Sequence, residues 1–161
     1  ATYWRIMRRL LKRILRRPRN HQTDPPRPDQ PQRLGQRGEE LARRHLAAQG
    51  YRLVAAGFTV PIGRSRRGRP VWAEIDLLAW DETVTPSILC VIEVKTRRSD
   101  ELSRPEAAVD ARKQRHLILA TRIVRRLLRL DDEPVRYDVV AVLSAPDAAP
   151  VISLHKDFFR E

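Results

Sequence analysis

Ile88-Leu89-Cys90-Val91-Ile92-Glu93-Val94-Lys95 decides how this chain is organised. An apolar run closed by charges reads as a core strand. Side chains alternate faces along a strand, so Glu93 and Lys95 point to the same side. A carboxylate and an ammonium on a buried strand are costly unless they pair or hold a metal. A second run, Ala73-Glu74-Ile75-Asp76-Leu77-Leu78-Ala79, puts Glu74 and Asp76 in the same kind of setting.

Outward from these runs the elements fall into order. Asp81 to Ser87, with Pro86, is a turn joining strands at Val71–Trp80 and Ile88–Lys95. Tyr51 to Val60 reads as an earlier strand. Pro61 to Pro70, with Gly63 and Gly68 among Arg64, Arg66, Arg67 and Arg69, is a basic hairpin loop. Three strands with short connections predict an antiparallel meander. Before them, Leu34 to Gln49 is a helix with Leu34, Leu41, Ala42, Leu46 and Ala47 on its apolar side, closed by Gly50. After a polar loop to Arg104, a long helix runs from Pro105 to about Leu130, its inner stripe Val109, Leu117, Ala120, Val124 and Leu127. Tyr137–Leu143 and Val151–Leu154 are the last strands. The order is α-β-β-β-α-β-β, an α/β fold with no internal repeat.

The 161 residues carry a net charge of +12, and Ala1 to Arg33 hold ten Lys or Arg against two Asp. The remainder is only mildly basic. This balance favours an anionic partner, nucleic acid or an acidic membrane surface. In residues 1–17, Trp4, Met7, Leu11 and Ile14 recur at helical spacing among arginines, a basic amphipathic helix. Charges interrupt it throughout, unlike a secretory signal. It suits an anionic membrane surface, nucleic-acid phosphates, or a plain basic arm equally well. Residues 18–33 are a Pro-rich linker, and 34–161 form the folded domain. The single cysteine, Cys90, forms no internal disulfide, packs as a small hydrophobe, and fits a reducing, cytoplasmic setting. His21, His45, His116 and His155 lack zinc-ligand spacing. No apolar run reaches the ~20 residues of a membrane span.

The strands carry the chemistry. If they form a hairpin, Asp76 and Glu93 stand at near-equal heights. Two carboxylates, the Val94 carbonyl and waters then make a site for Mg²⁺ or Mn²⁺. Lys95 beside them could orient or activate a water, or stabilise charge on a pentacovalent phosphate. Those are the parts of phosphodiester hydrolysis. The plainer reading is a structural Glu93–Lys95 pair on an exposed strand face. Glu39 sits near the buried stripe of the first helix, where an acid also complements the helix dipole.

Gly35-Gln36-Arg37-Gly38-Glu39-Glu40-Leu41-Ala42, Gly50-Tyr51, Glu74-Ile75-Asp76-Leu77-Leu78-Ala79 and Val91-Ile92-Glu93-Val94-Lys95-Thr96-Arg97 together resemble the YraN family of bacterial proteins. The likeness continues through Ala107-Ala108-Val109-Asp110, Lys113-Gln114 and Arg136-Tyr137-Asp138-Val139-Val140, roughly Leu34 to Leu154. By sequence pattern that family belongs to the PD-(D/E)XK nuclease superfamily, near the archaeal Holliday-junction resolvases. The resemblance implies a restriction-endonuclease-like αβββαβ core, a mixed central sheet flanked by helices, and Mg²⁺-dependent endonuclease activity. It implies metal-binding acids at Asp76 and Glu93, a catalytic lysine at Lys95, an auxiliary acid at Glu39 and a site-facing polar residue at Gln114. Ala73 stands where the family's G-E-I-D pattern has glycine, which leaves the acids intact. Arg64, Arg66, Arg67, Arg69, Arg97, Arg98, Lys113 and Gln114 are expected to meet DNA, branched or single-stranded, with weak sequence preference. Two further expected partners are a second copy of the chain and an anionic membrane contacted through residues 1–17. The competing functional reading is a nucleic-acid-binding or membrane-surface adaptor on the same fold that does not cut.

Overall fold

The computed structural model describes residues 31–98, 109–145 and 148–161. Helix α1 spans Pro31–Ala48, strands β1 Tyr51–Arg64, β2 Pro70–Asp81 and β3 Ile88–Arg98, helix α2 Ala111–Leu128, and strands β4 Val135–Ala145 and β5 Ala148–Phe159. One five-stranded sheet runs in the order β1-β2-β3-β4-β5. The β1/β2, β2/β3 and β4/β5 pairs are antiparallel, and β3/β4 is parallel through the α2 crossover. The fold is α/β with a mixed sheet between two helices, consistent with a restriction-endonuclease-like core.

Alternation along the central strands divides the core into two layers. Leu89 and Val91 of β3 and Tyr137 and Val139 of β4 join Leu117, Ala120, Val124 and Leu128 of α2. Cys90 and Ile92, with Val140 and Val142, join Ala42 and Leu46 of α1. Odd and even positions thus face different helices, as a strand buried on both sides requires. Cys90 is fully buried, as expected of a small hydrophobe.

Several element ends differ from the sequence reading. Helix α1 begins at Pro31, inside the stretch read as linker. Both strands of the first hairpin extend into the stretch read as a loop, leaving residues 65–69 as the turn. The punctuation by Gly63 and Pro61 misled there. A proline is tolerated on an edge strand, and the register shifts between Pro61 and Gly63 absorb the irregularity. Helix α2 begins at Ala111. Asp110 caps it, its carboxylate accepting the Lys113 N–H at 2.8 Å. Val109 is buried just before the cap, and Leu127, expected inside, is 44% exposed, its place taken by Thr121 and Leu128. Strand β5 is far longer than Val151–Leu154 because its polar second half is held by Phe159 stacked on Tyr137 at 4.6 Å.

One glycine fixes how α1 meets the sheet. A Cβ on Gly38 would lie 1.7 Å from Thr96 Oγ1 and 2.8 Å from its Cβ, so α1 can approach β3 only without a side chain there. Gly38→Ala is therefore expected to lower stability by about 1–3 kcal/mol, read as a lower urea midpoint. Gly35 on the same helix has nothing within 4 Å of its would-be Cβ. Gly35→Ala should leave the midpoint unchanged or raise it; equal loss at both positions would contradict the close approach.

Gly57 marks the second irregularity. Its φ of +55° interrupts β1 opposite Asp76, where the β1/β2 ladder skips from Ala56–Leu77 to Phe58–Ile75. Ile75 packs in the α2 layer but Leu77, two residues on, in the α1 layer. The facing of β2 therefore changes at Asp76.

Candidate active site

The β2/β3 ladder ends at Leu77–Ile92, although β3 goes on pairing with β4 as far as Arg98–Ser144. Asp76 fills the resulting gap. Its Oδ2 accepts the Val94 N–H at 2.8 Å, so a side chain closes what the backbone leaves open. The N–H and C=O of one strand residue point the same way. The Val94 carbonyl thus lies on the Asp76 side of β3.

Glu93 is 3% exposed and touches two lysines. Its Oε1 lies 2.8 Å from Lys95 Nζ, and its Oε2 lies 3.1 Å from Lys113 Nζ on the first turn of α2. The second contact is an ion pair without a well-directed hydrogen bond. Among the described residues, Glu93 Oε2 is the one buried side-chain oxygen that lacks one. Both lysines remain about a third exposed (33% and 31%).

Charge crowds this end of the sheet. Burial, and then the Glu93 carboxylate beside it, push the Asp76 pKa up to about 7, with Glu39 adding to the rise. Burial also raises Glu39, and Glu74 and Glu93 add to it. Glu39 reaches over β1, its Oε2 4.0 Å from the Cβ position of Gly57. Burial opposes the charge on Lys113, but Glu93 and Asp76 more than offset it and hold its pKa above the ordinary range. The fold thus brings Glu39, Asp76, Glu93, Lys95 and Lys113 into one electrostatic unit.

The donors fit Mg²⁺ or Mn²⁺. Asp76 and Glu93 supply hard oxygens that repel one another, the Val94 carbonyl faces the same gap, and Glu93 Oε2 has no directed partner. No group of three or more His, Cys, Asp or Glu that could cage a metal occurs among the described residues. Mg²⁺ commonly binds through one or two carboxylates, completing its shell with water and substrate phosphate, so two acids suffice.

Asp76 gives a test without DNA. A carboxyl whose folded pKa is raised contributes stability that is full below its ordinary 3.8 and lost as pH rises through about 7. EDTA-treated protein should melt lower at pH 8 than at pH 5.5. Asp76→Asn should flatten that loss, and Mg²⁺ should restore Tm more at pH 8. An unchanged pH profile in the variant would contradict this picture.

The other expected residues scatter. Gln114 donates its amide to the Val109 carbonyl at 2.9 Å, so it braces the start of α2. Arg66 and Arg67 are exposed at the β1–β2 turn, Arg64 bonds the Gly68 carbonyl, and the Arg69 N–H bonds Ser65. The turn is seven residues from Asp76 along the strand, about 23 Å, so these arginines could meet only DNA flanking the site. Arg97 shares the face of Glu93 and Lys95 by alternation, and Arg98 is on the other face. The basic helix and most of the linker lie outside the described residues.

The sequence model of the Uncharacterised protein family UPF0102 matches residues 38–142. A UPF0102 protein of Koribacter versatilis is 39% identical over 139 residues, covering 83% of this chain and 85% of its own. The chain belongs to UPF0102. A UPF0102 protein of Chlorobaculum tepidum is 41% identical over 116 residues, 71% of this chain and 78% of its own. Another from Symbiobacterium thermophilum is 38% identical over 115 residues, 71% and 86%. The YraN resemblance and UPF0102 are the same family. The UPF0102 match contains Glu39, Asp76, Glu93, Lys95 and Lys113, while the basic residues 1–17 lie before it.

Two groupings escaped the sequence reading. Lys113, expected to meet DNA, also pairs with Glu93. Its place three residues after a capping Asp was the available signal. The second is a buried network away from the site. Arg136 bridges Asp138 (2.8 and 2.9 Å), Asp81 (2.8 Å) and the Tyr51 hydroxyl (2.8 Å). Arg136 and Asp138 are two apart on one strand and so share a face, which the sequence does show.

Proposed function

We propose that this protein is a metal-dependent endonuclease acting on DNA with little sequence preference. The observation that carries the reading is Asp76, past the end of the β2/β3 ladder, raised in pKa by burial and by the Glu93 carboxylate that Lys95 holds at 2.8 Å. A bound Mg²⁺ or Mn²⁺ would neutralise a phosphate and lower the pKa of an attacking water. Asp76, Glu93 and the Val94 carbonyl would hold the ion. Lys95, 2.8 Å from Glu93 and a third exposed, is free to swing toward a phosphate oxygen or a water. Lys113 would steady the second oxygen of Glu93 or itself meet a phosphate, and Glu39 would add charge from α1. The Arg64–Arg69 turn would track flanking backbone, giving position without base readout.

A second reading rests on a specific feature: two lysines already neutralise Glu93, so that carboxylate needs no ion to balance its charge. That suits a DNA-binding protein that does not cut. Linear, single-stranded, flapped and four-way DNA incubated with Mg²⁺, Mn²⁺ or EDTA separates the two. Ion-dependent cleavage of any of them supports the nuclease, and ion-independent binding without cleavage supports the second reading. The anionic-membrane partner is a proposal of the same kind for residues 1–17, and liposome co-sedimentation with and without them tests it. No described helix is long and apolar enough to cross a membrane.

A further inference from the structure

Helix α2 carries no acidic residue between Ala111 and Leu128. Arg112, Arg115, Arg122 and Arg126 recur at steps that keep them on one side of the helix, and Arg129, its C-cap, continues the row. All five are exposed, while Leu117, Ala120, Val124 and Leu128 on the opposite side are buried against the sheet. Arg122 pairs with Glu161 at 3.2 Å; Arg115, Arg126 and Arg129 form no side-chain ion pair among the described residues. At ~1.5 Å per residue the row is about 25 Å long. Arg112 is next to Lys113, so the row starts beside the candidate site.

Arg122 answers Glu161, and Arg126 and Arg129 suit the negative end of the helix dipole, but nothing in the fold accounts for Arg112 and Arg115. Arg112 and Arg115 stand at the helix N-terminus, where the dipole disfavours positive charge. Arg112/Arg115, Arg122/Arg126 and Arg126/Arg129 are like charges at i,i+3 or i,i+4, which also disfavours the helix. A row that weakens its own helix and leads away from an anion-handling site fits a polyanion laid along it.

We propose that the exposed face of α2 is a rail for the phosphate backbone of a DNA duplex reaching the candidate site. Duplex DNA fits better than a single strand, because the row is straight and α2 has no Phe, Tyr or Trp on which bases could stack. It fits better than a membrane surface, because most of the apolar side of α2 is spent on the sheet, leaving only Leu119 and Leu127 as its large exposed apolar side chains. The rail spans about seven base pairs. The choice of DNA rests on the nuclease reading, whereas the row of charge does not.

The test is equilibrium binding of the full-length chain in EDTA to a 25-base-pair duplex, to a single strand of equal length, and to anionic phospholipid vesicles. Arg115→Gln/Arg126→Gln is compared with the parent, since neither residue contacts Glu93 or Asp76 and Gln keeps helix propensity. Each lost phosphate contact makes the slope of log K against log salt shallower by about 0.9. The double variant should therefore show a duplex slope shallower by about 2 and a more than tenfold loss of affinity at 0.1 M salt, with Tm unchanged or slightly raised. An unchanged duplex slope overturns the proposal, as does a loss confined to vesicles or to the single strand. Because binding is read without metal, a protein that binds this way but never cuts would sink the nuclease reading and leave the rail standing.

Discussion

Lys95→Ala is expected to lower Mg²⁺-dependent DNA cleavage by about 10²–10³-fold, the scale seen when one preorganised charge or donor is removed from a transition state. The fold should tolerate the loss. Lys95 is a third exposed, and without it Glu93 keeps Lys113 at 3.1 Å. Melting temperature and the Mg²⁺-dependent rise in Tm should therefore stay near those of the parent, separating catalysis from ion binding. Glu93→Ala should differ in one respect: cleavage and the Mg²⁺ effect should disappear together. If Lys95→Ala cut DNA as fast as the parent, Lys95 would be only the structural partner of Glu93.

The second large effect concerns stability. Arg136→Ala should cost about 3–5 kcal/mol, because it leaves two buried carboxylates without their shared cation. Asp81 and Asp138 are 0% and 1% exposed. Asp81 keeps Lys156 at 3.1 Å and Thr83, and Asp138 keeps the Asp157 N–H at 2.9 Å, so the folded state should survive at reduced stability. A loss of that size lowers Tm by about 10 °C or more in a domain of this length. Arg136→Lys should rescue little, since a single ammonium cannot bridge Asp81 and make two bonds to Asp138. Although burial opposes it, hydrogen bonds from Thr83, Arg136 and Lys156 hold the Asp81 pKa well below the ordinary carboxylate range. That contribution is present above the ordinary carboxylate range and lost as pH falls through the depressed value. The parent should therefore lose more stability than Arg136→Ala on acidification. Chemical denaturation at pH 7 and at pH 3 measures both effects, and a variant within 1 kcal/mol of the parent at pH 7 would remove the network from the account.

The strand order was legible because β2 and β3 are apolar enough to be buried on both faces, and because the β2–β3 turn is short. Glu93 and Lys95 declared themselves as charges that such a strand cannot hold without partners. Asp76 was legible as an acid on the neighbouring strand, but its bond to the Val94 N–H was not. That bond depends on β2 and β3 ceasing to pair beyond Leu77–Ile92, and neither run announces where a ladder ends. The pairing of Lys113 with Glu93 was not legible because a lysine in a basic helix looks like any other until the N-cap at Asp110 fixes its height over Glu93. The Arg136 network was missed because Asp81, Asp138 and Lys156 are far apart in sequence and meet only once β2 to β5 lie side by side. The polar half of β5 lay beyond the strand read at Val151–Leu154 because its pairing with β4, rather than its own pattern, makes it a strand.

The account stands or falls on whether Asp76 and Glu93 serve a metal. The most direct measurement compares parent and Asp76→Asn, purified side by side, on the preferred DNA form with Mn²⁺, Mg²⁺, Ca²⁺ or EDTA. Asn is near-isosteric and can still accept the Val94 N–H, so the fold is preserved while the charge is removed. The account predicts cleavage by the parent with Mn²⁺ and Mg²⁺ only, and none by Asp76→Asn at equal DNA binding. Equal cleavage by both proteins, or binding by both with no cleavage under any ion, would contradict it.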